Sequence, residues 1–167
     1  MEVKASQVKE LRDMTGVAMM ECKKALVECD GDIEKALDLL RSNSALKAEK
    51  KASRVAADGI LRTSQGDGFA TLIEINSETD FAIKDSNFMA FTDEVHKYIS
   101  SKKVDDISEF ENSEIEEKRK ALIQTIGENI QLRRLETLSV GKDMSAGVYL
   151  HSDSKLGALV VVSGGDE

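Results

Sequence analysis

The sequence predicts an α+β fold, in which a small three-helix module precedes a core subdomain with a mostly antiparallel sheet. Apolar residues recur at intervals of three and four up to about residue 40, which is typical of amphipathic helices. Later, short β-branched runs alternate with helical stretches, which indicates a sheet covered by helices on one side. Proline is absent, so glycines and Asp/Asn/Ser clusters mark the boundaries. We therefore expect a helical module at 1–45, a charged linker at 46–54 and the core subdomain at 55–167.

Three short helices are predicted in the first segment. Ser6 is placed to cap the first helix and Gly16 to end it, while Asp32 is placed to cap the third after the break at "DGD". Met19 and Met20 are neighbours, so one helix face cannot bury both, and we expect one in the core and one exposed. The predicted apolar faces are Val8, Leu11 and Met14 in the first helix, Met19, Cys22, Ala25, Leu26 and Cys29 in the second, and Ile33, Ala36, Leu37 and Leu40 in the third.

A basic stretch follows these helices. Lys47, Lys50, Lys51 and Arg54 are spaced to lie on one face of a helix. Such a face is typical either of a phosphate-binding patch or of a solvated linker helix. Because the acidic excess behind the net charge of −8 lies in the rest of the chain, we favour the linker and expect no direct nucleic-acid binding.

The core subdomain is predicted to begin with a hairpin, "GILRTSQGDGFATLIEIN", whose turn is "QGDG". A helix is expected from either Phe81 or Ser86 to Lys102, and a polar stretch from Asp105 to Glu117 follows it. The remainder, "IQLRRLETL", "GVYLHS" and "LGALVVVSG", predicts three strands. Two helix faces are expected to be buried: Phe88, Phe91, Val95 and Ile99 in the first helix, and Ile115, Leu122 and Ile126 in a second helix before "GEN".

The sequence contains no pattern that predicts bond chemistry. Its two histidines, His96 and His151, have no Cys or His partner at the spacing of a nucleophile–base pair or a metal site, and Cys22 and Cys29 are predicted to be reduced, buried thiols. No glycine-rich loop precedes a helix. We therefore expect neither an enzyme nor a cofactor or metal site. No apolar run reaches the length of a membrane span, and the first residues lack the character of a targeting peptide, so a cytoplasmic location is expected.

Three stretches resemble the bacterial elongation factor Ts family. They are "VKELRDMTGVAMMECKKAL" followed by "GDIEKAL", then "AADGIL" leading into "TDFAIKD", and finally "IGENI". The resemblance runs from about residue 5 to the end of the chain, in the order and spacing of the family. It implies that the helical module has a ubiquitin-associated-type fold. Members of the family usually continue into a second core subdomain, so the chain resembles a fragment.

The resemblance also implies a function and a set of contact residues. Such a protein promotes exchange of guanine nucleotide on the translational GTPase elongation factor Tu, by inserting Asp80 and Phe81 near the Mg²⁺ and phosphate site. His151 matches a position directed at another domain of the GTPase. The other implied contact residues are Ile126, Gly127 and Asn129 in support of the inserted pair, and Arg12, Met19, Met20 and Lys23 for docking of the helical module.

Two other classes of function compete with this one. A non-catalytic helical adaptor that binds a peptide or protein partner would explain the first 45 residues but gives no role to "TDFAIKD". An RNA-associated protein would use the basic face, and its binding would depend steeply on salt.

Phe81 has two interpretations. In a continuous helix Phe81, Phe88 and Val95 would be seven residues apart and share a buried face. If Ser86 and Asn87 interrupt and restart the helix, Phe81 leaves that face. Because the resemblance gives Phe81 an intruding role, we expect it to be exposed.

Overall fold

The α+β fold class is confirmed. The computed structural model describes residues 3–164, and within them every strand pair is antiparallel. The elements are α1 (Ala5–Thr15), α2 (Met19–Glu28), α3 (Ile33–Lys51), β1 (Asp58–Gly66), β2 (Phe69–Ser77), α4 (Asp80–Ile83), α5 (Ser86–Lys102), a 3-10 helix (Ile107–Phe110), α6 (Glu114–Ile126), β3 (Ile130–Ser139), β4 (Met144–Leu150) and β5 (Gly157–Ser163). They form two compact units. The first unit runs up to Arg54 and adds Glu116–Asn129, and the second holds Val55–Ile115 and the chain from Ile130.

The core of the first unit is built from the faces of α1, α2 and α3 that the periodicity predicted. Gly16 ends α1 with a φ of 66°, and the Asp32 side chain caps α3 by accepting from the amide of Lys35 at 3.1 Å. Burial of apolar side chains is what stabilises helices as short as α1 and α2. The buried residues are Val8, Leu11, Val17, Cys22, Ala25, Leu26, Ala36 and Leu40, with Ile33, Leu37 and Cys29 partly buried against them.

Some predictions for this unit were wrong. Helix α1 begins at Ala5 with Lys4 as its cap, so Ser6 lies inside the first turn. Met14 is exposed, and so are both Met19 and Met20, although one methionine was expected in the core. The core positions of α2 are taken by smaller residues at the same spacing, and the two methionines lie outside that face.

Helix α3 continues into the stretch that was predicted to be a linker, residues 46–54. Its 19 residues end at Lys51, and Ala48 in that stretch is buried. One turn earlier in the same helix, Ser44 is also buried, and its hydroxyl donates to the side-chain oxygen of Gln124 in α6 at 2.6 Å. The predicted division of the chain into three segments stays a prediction, but no helix end marks its first boundary.

The end of α6 and the residues after it belong to the first unit. Thr125 donates to the carbonyl of Gly16 at 3.3 Å, and Lys51 donates to the carbonyl of Gly127 at 2.5 Å. Ala121 packs on the core of α1, α2 and α3. These contacts join residues that are far apart in the sequence, such as Lys51 and Gly127, which are separated by 76 positions. A local sequence pattern contains no trace of such contacts.

The second unit contains a three-stranded sheet in the order β1-β2-β3 and a separate β4–β5 hairpin. The predicted hairpin is confirmed: β1 and β2 pair in register from Asp58↔Ser77 to Gly66↔Phe69. Gly68, with a φ of 85°, supplies the left-handed conformation that this turn requires. Helix α5 packs on β1 and has the buried face that was predicted, Phe88, Phe91, Val95 and Ile99.

The stretch predicted to be polar contains a short 3-10 helix with a buried aromatic residue. Asp106 and Glu109 form a reciprocal capping box at its start. At its end Phe110 is buried, with its ring centroid 5.8 Å from that of Tyr98. Acidic residues on both sides of Phe110 are the reason that the stretch was predicted to be polar and that this buried aromatic residue was missed.

Candidate partner-binding surfaces

Phe81 lies on a single helical turn that interrupts the expected continuous helix. Thr79 caps α4 by accepting from the amide of Ala82 at 3.3 Å, and Asp85 caps α5 by accepting from the amide of Asn87 at 2.8 Å. Two caps six residues apart allow the chain to change direction between α4 and α5. The helix therefore restarts at Ser86, and the prediction that Phe81 leaves the apolar face of α5 is confirmed.

The α4 turn presents Phe81 outward and anchors itself with its other apolar residues. The Phe81 side chain is 81% exposed, whereas Ala82 and Ile83 are buried. Helix α4 packs on β1 and β2, so these two buried side chains fix the turn to the sheet. An isolated exposed apolar residue is common, so the exposure of Phe81 on a capped and anchored turn makes it a candidate contact residue. The prediction of an exposed Phe81 is confirmed.

Asp80 forms an ion pair within the same turn. The Lys84 ammonium donates to the Asp80 carboxylate at 2.7 Å, the i to i+4 spacing of neighbouring side chains on a helix. Asp80 also lies in the first turn of α4, where a negative charge is favoured. Its carboxylate is half-exposed and therefore accessible to a partner, provided that the bond to Lys84 is exchanged.

The predicted contact residues at the end of α6 occupy three different environments. Ile126 is half-buried, and Gly127 is exposed with a φ of 86° that ends the helix. Asn129 is 1% exposed, and its side-chain amide donates to the carbonyls of Ala52 and Arg54 at 3.4 and 2.8 Å. Asn129 therefore fixes the backbone that follows α3. If it supports a contact surface, as predicted, it would do so by holding this backbone in place and not by touching a partner.

The first unit exposes an apolar strip on α2. Met20 and Val27 are 63% and 57% exposed and, with the stems of Lys23 and Lys24 and with Glu28, they line a shallow depression of about 300 Å³. Val27 was missed in the sequence, although it stands seven residues after Met20 and off the core face. That spacing was the signal that could have identified it.

The remaining predicted docking residues of this unit are also on its surface. Met19 is 49% exposed, and Arg12 on α1 and Lys23 on α2 are exposed. Glu21 lies beside them and accepts from Lys24 at 3.1 Å and pairs with Lys47 at 3.5 Å, and these cations lower the pKa of its carboxyl. The surface therefore combines exposed thioethers with several positive charges, a mixture suited to an amphipathic and acidic helix of a partner.

His151 follows β4 and is exposed. Its Nδ1 lies 2.8 Å from the Tyr149 hydroxyl, and its amide donates to the carbonyl of Leu156 at 2.8 Å. His96 is half-buried on α5.

Within residues 3–164 no group of three or more His, Cys, Asp or Glu side chains is arranged to hold a metal ion. None of the helices described there combines the length and the apolar character of a membrane span.

Comparison with known proteins gives a consistent result. The family model described as "Elongation factor TS" matches residues 78–167. The chain is 48% identical to elongation factor Ts of Hahella chejuensis over 98% of this chain and 57% of the relative. It is 46% identical to elongation factor Ts of Saccharophagus degradans and 47% identical to that of Xanthomonas campestris pv. campestris, over 99% of this chain and 58% of each relative. The chain thus spans somewhat more than half the length of these relatives.

Proposed function

This chain belongs to the elongation factor Ts family, and on that premise we propose that it acts in translation elongation by promoting GDP release from the GTPase elongation factor Tu. The observation that carries the proposal is Phe81, an 81% exposed aromatic side chain on a turn anchored by buried residues. We propose that Phe81 and Asp80 enter the GTPase near its Mg²⁺ and phosphate site. No bond chemistry is required, and the protein would work in the cytoplasm without a cofactor.

A single inserted aromatic residue can supply much of the free energy that nucleotide exchange requires. An exchange factor must bind the nucleotide-free GTPase more tightly than the GDP-bound form, and this coupling acts equally in both directions. To accelerate GDP release about a thousandfold, about 4 kcal/mol must be directed to the releasing state. Burying one phenylalanine contributes about 1.5–3 kcal/mol, and the packed elements of the GTPase would answer the insertion with a discrete shift. Phe81 would therefore supply a large part of the required free energy.

The other surfaces would supply affinity. In this proposal the exposed residues of α1 and α2, namely Arg12, Met19, Met20 and Lys23, dock on a helix of the GTPase, and His151 contacts another of its domains. Ile126, Gly127 and Asn129 support the surface around the inserted pair. The anchored turn loses little conformational freedom on binding, which favours a specific fit.

The direct test measures release of a fluorescent GDP analogue from elongation factor Tu, with and without the chain of residues 1–167. We expect a clear acceleration that saturates with concentration. The rate should stay below that of the longer Hahella chejuensis relative, because the chain spans 57% of that protein and contacts are expected in the remainder. Release at the rate of the GTPase alone, at all concentrations, would contradict the proposal.

A second candidate function is a helical adaptor without exchange activity. The apolar depression on α2 favours it, because this surface alone could bind an amphipathic helix. An adaptor would bind the GTPase, or another protein, without changing the rate of GDP release.

The α2 surface leads to a separate prediction. Replacing Met20 and Val27 together by alanine should weaken binding to the nucleotide-free GTPase by about tenfold, because two exposed apolar side chains lose their burial at the interface. GDP release at saturating concentration should be unchanged, since Phe81 is untouched.

Titration calorimetry and release kinetics on one preparation would measure both quantities. Leu46→Ala, which removes an apolar side chain that is 51% exposed on α3, is the matched control. Equal weakening by the control, or a slower maximal release in the double variant, would contradict a docking role.

A further inference from the structure

The loop that carries His151, residues 151–156, is closed by its own hydrogen bonds. The amide of Ser154 donates to the carbonyl of His151 at 2.8 Å, and the amide of Lys155 donates to the Asp153 side chain at 2.9 Å. Ser154 has a φ of 58°, a conformation that non-glycine residues adopt when their surroundings enforce it. We refer to this segment as the His151 loop.

The His151 loop is attached to the first residues of β1. The amide of Leu61 donates to the carbonyl of Ser154 at 2.7 Å, and Arg62 donates to the Ser154 hydroxyl at 3.4 Å. The Lys155 ammonium donates to the Asp58 carboxylate at 2.7 Å. The ion pair spans 97 residues of sequence, and its partners are only partly exposed. The loop is therefore fixed to β1, although it connects the two strands of the other sheet.

The Phe81 turn, residues 79–84, is attached to the same strand. Helix α4 packs on β1 and β2 through its buried residues, and Asp80 is paired with Lys84 at 2.7 Å. The two ion pairs affect each other. The hydrogen bond to Asp58 raises the pKa of Lys155, and Asp80 raises it further. In the same way Lys155 lowers the pKa of Asp58, and Lys84 lowers it further. The His151 loop and the Phe81 turn are therefore both attached to β1, the loop through the Asp58–Lys155 ion pair and the turn through the packing of α4.

We propose that Asp58 and Lys155 are positioning residues, which fix the His151 loop to the same strand, β1, on which the Phe81 turn is packed, so that the loop and the turn engage the GTPase in a single binding event. The inference rests on the proposed function. Two contacts on a rigid frame bind more tightly than the same contacts on a flexible one, because formation of the first places the second at a high effective concentration. Neither positioning residue needs to touch the GTPase.

The first test compares the effect of one substitution in two backgrounds. Lys155→Met keeps the length of the side chain and removes its charge. In the otherwise unchanged chain it should weaken binding to nucleotide-free elongation factor Tu by about fivefold. In a His151→Ala background it should change binding by less than about 1.5-fold, because of the two contacts that share this frame only that of Phe81 is left. Lys155→Arg should restore binding to within about twofold, since it restores the pair with Asp58.

The control is Lys142→Met, which removes an exposed lysine from the connection between β3 and β4 and should have no effect in either background. If Lys155→Met weakens binding equally in both backgrounds, Lys155 contacts the GTPase directly and the proposal is overturned. It is also overturned if Lys155→Met has no effect in either background.

A second measurement needs no GTPase. The Leu61 amide bonds to the His151 loop, so Lys155→Met should speed its hydrogen exchange by about tenfold while the amides between β2 and β3 keep their rates. If the chain does not bind the GTPase, the proposed function fails and this measurement alone decides the positioning role. Faster exchange at Leu61 then supports the attachment of the loop, and an unchanged rate overturns it.

Discussion

Phe81→Ala is expected to remove most of the exchange activity and to leave the stability of the fold almost unchanged. The side chain is 81% exposed, so the folded state gains little from it, and the free energy of unfolding should change by less than about 0.5 kcal/mol. If insertion into the GTPase buries the ring, its loss removes about 1.5–3 kcal/mol from the releasing state. GDP release should then slow between about 10-fold and about 150-fold.

The measurement combines release of a fluorescent GDP analogue with thermal unfolding of the same preparation. Val55→Ala is the matched control, because Val55 is 79% exposed in the same unit and has no predicted role. It should change neither quantity. A fall of several degrees in the melting temperature of Phe81→Ala would mean that the ring stabilises the fold, and an unaltered release rate would exclude Phe81 as the inserted residue.

Phe88→Ala should have the opposite profile. Its ring is fully buried at the start of α5, and truncation of such a residue costs about 3–5 kcal/mol because it leaves a cavity. The free energy of unfolding of a domain is only about 5–15 kcal/mol, so the melting temperature of this 167-residue chain should fall by roughly 6–20 °C.

Circular dichroism during heating would measure this fall, and release kinetics at low temperature would show whether the remaining folded protein is active. Activity per folded molecule should be retained, since the Phe88 side chain is buried and cannot contact the GTPase. The pair of variants thus separates a contact residue from a core residue only seven positions away. If Phe88→Ala melted with the unsubstituted chain, the assignment of α5 as the covering helix of the sheet would be wrong.

The sequence was most informative where structure depends on neighbours along the chain, although the predicted cap at Ser6 was wrong. The cap at Asp32, the end of α1 at Gly16 and the buried face of α5 all follow from residues within one or two turns. The position of Phe81 was ambiguous because heptad spacing and interruption at Ser86 were both compatible with the sequence. The structure decides between them through the two caps, Thr79 and Asp85, and both of these residues could be recognised in the sequence.

Other features depend on residues far away in the chain and could not be predicted. The carbonyls that bind the Asn129 side chain belong to Ala52 and Arg54, which precede it by 77 and 75 residues. The residues next to Asn129 in the sequence therefore gave no sign that its side chain is buried. One methionine of α2 was wrongly expected in the core for a related reason, since that core is filled by side chains from α1 and α3 together with the smaller residues of α2. Periodicity identifies the apolar face of a helix, but the packing of the neighbouring helices decides which residues at the edges of that face are buried.

The grouping of Glu116–Asn129 with the helices up to Arg54 has a consequence for how the protein is made. Three helices that look like an independent unit lack one of their packing elements until residue 129 has left the ribosome. At a synthesis rate of about 5–20 residues per second, the 75 residues from Arg54 to Asn129 take about 4–15 s. During that interval Ser44 lacks its partner Gln124, and the side of α3 that faces α6 has no cover. The first part of the chain to be synthesised is therefore expected to be among the last to complete its fold, so a nascent chain arrested before α6 should be cleaved by protease within α3.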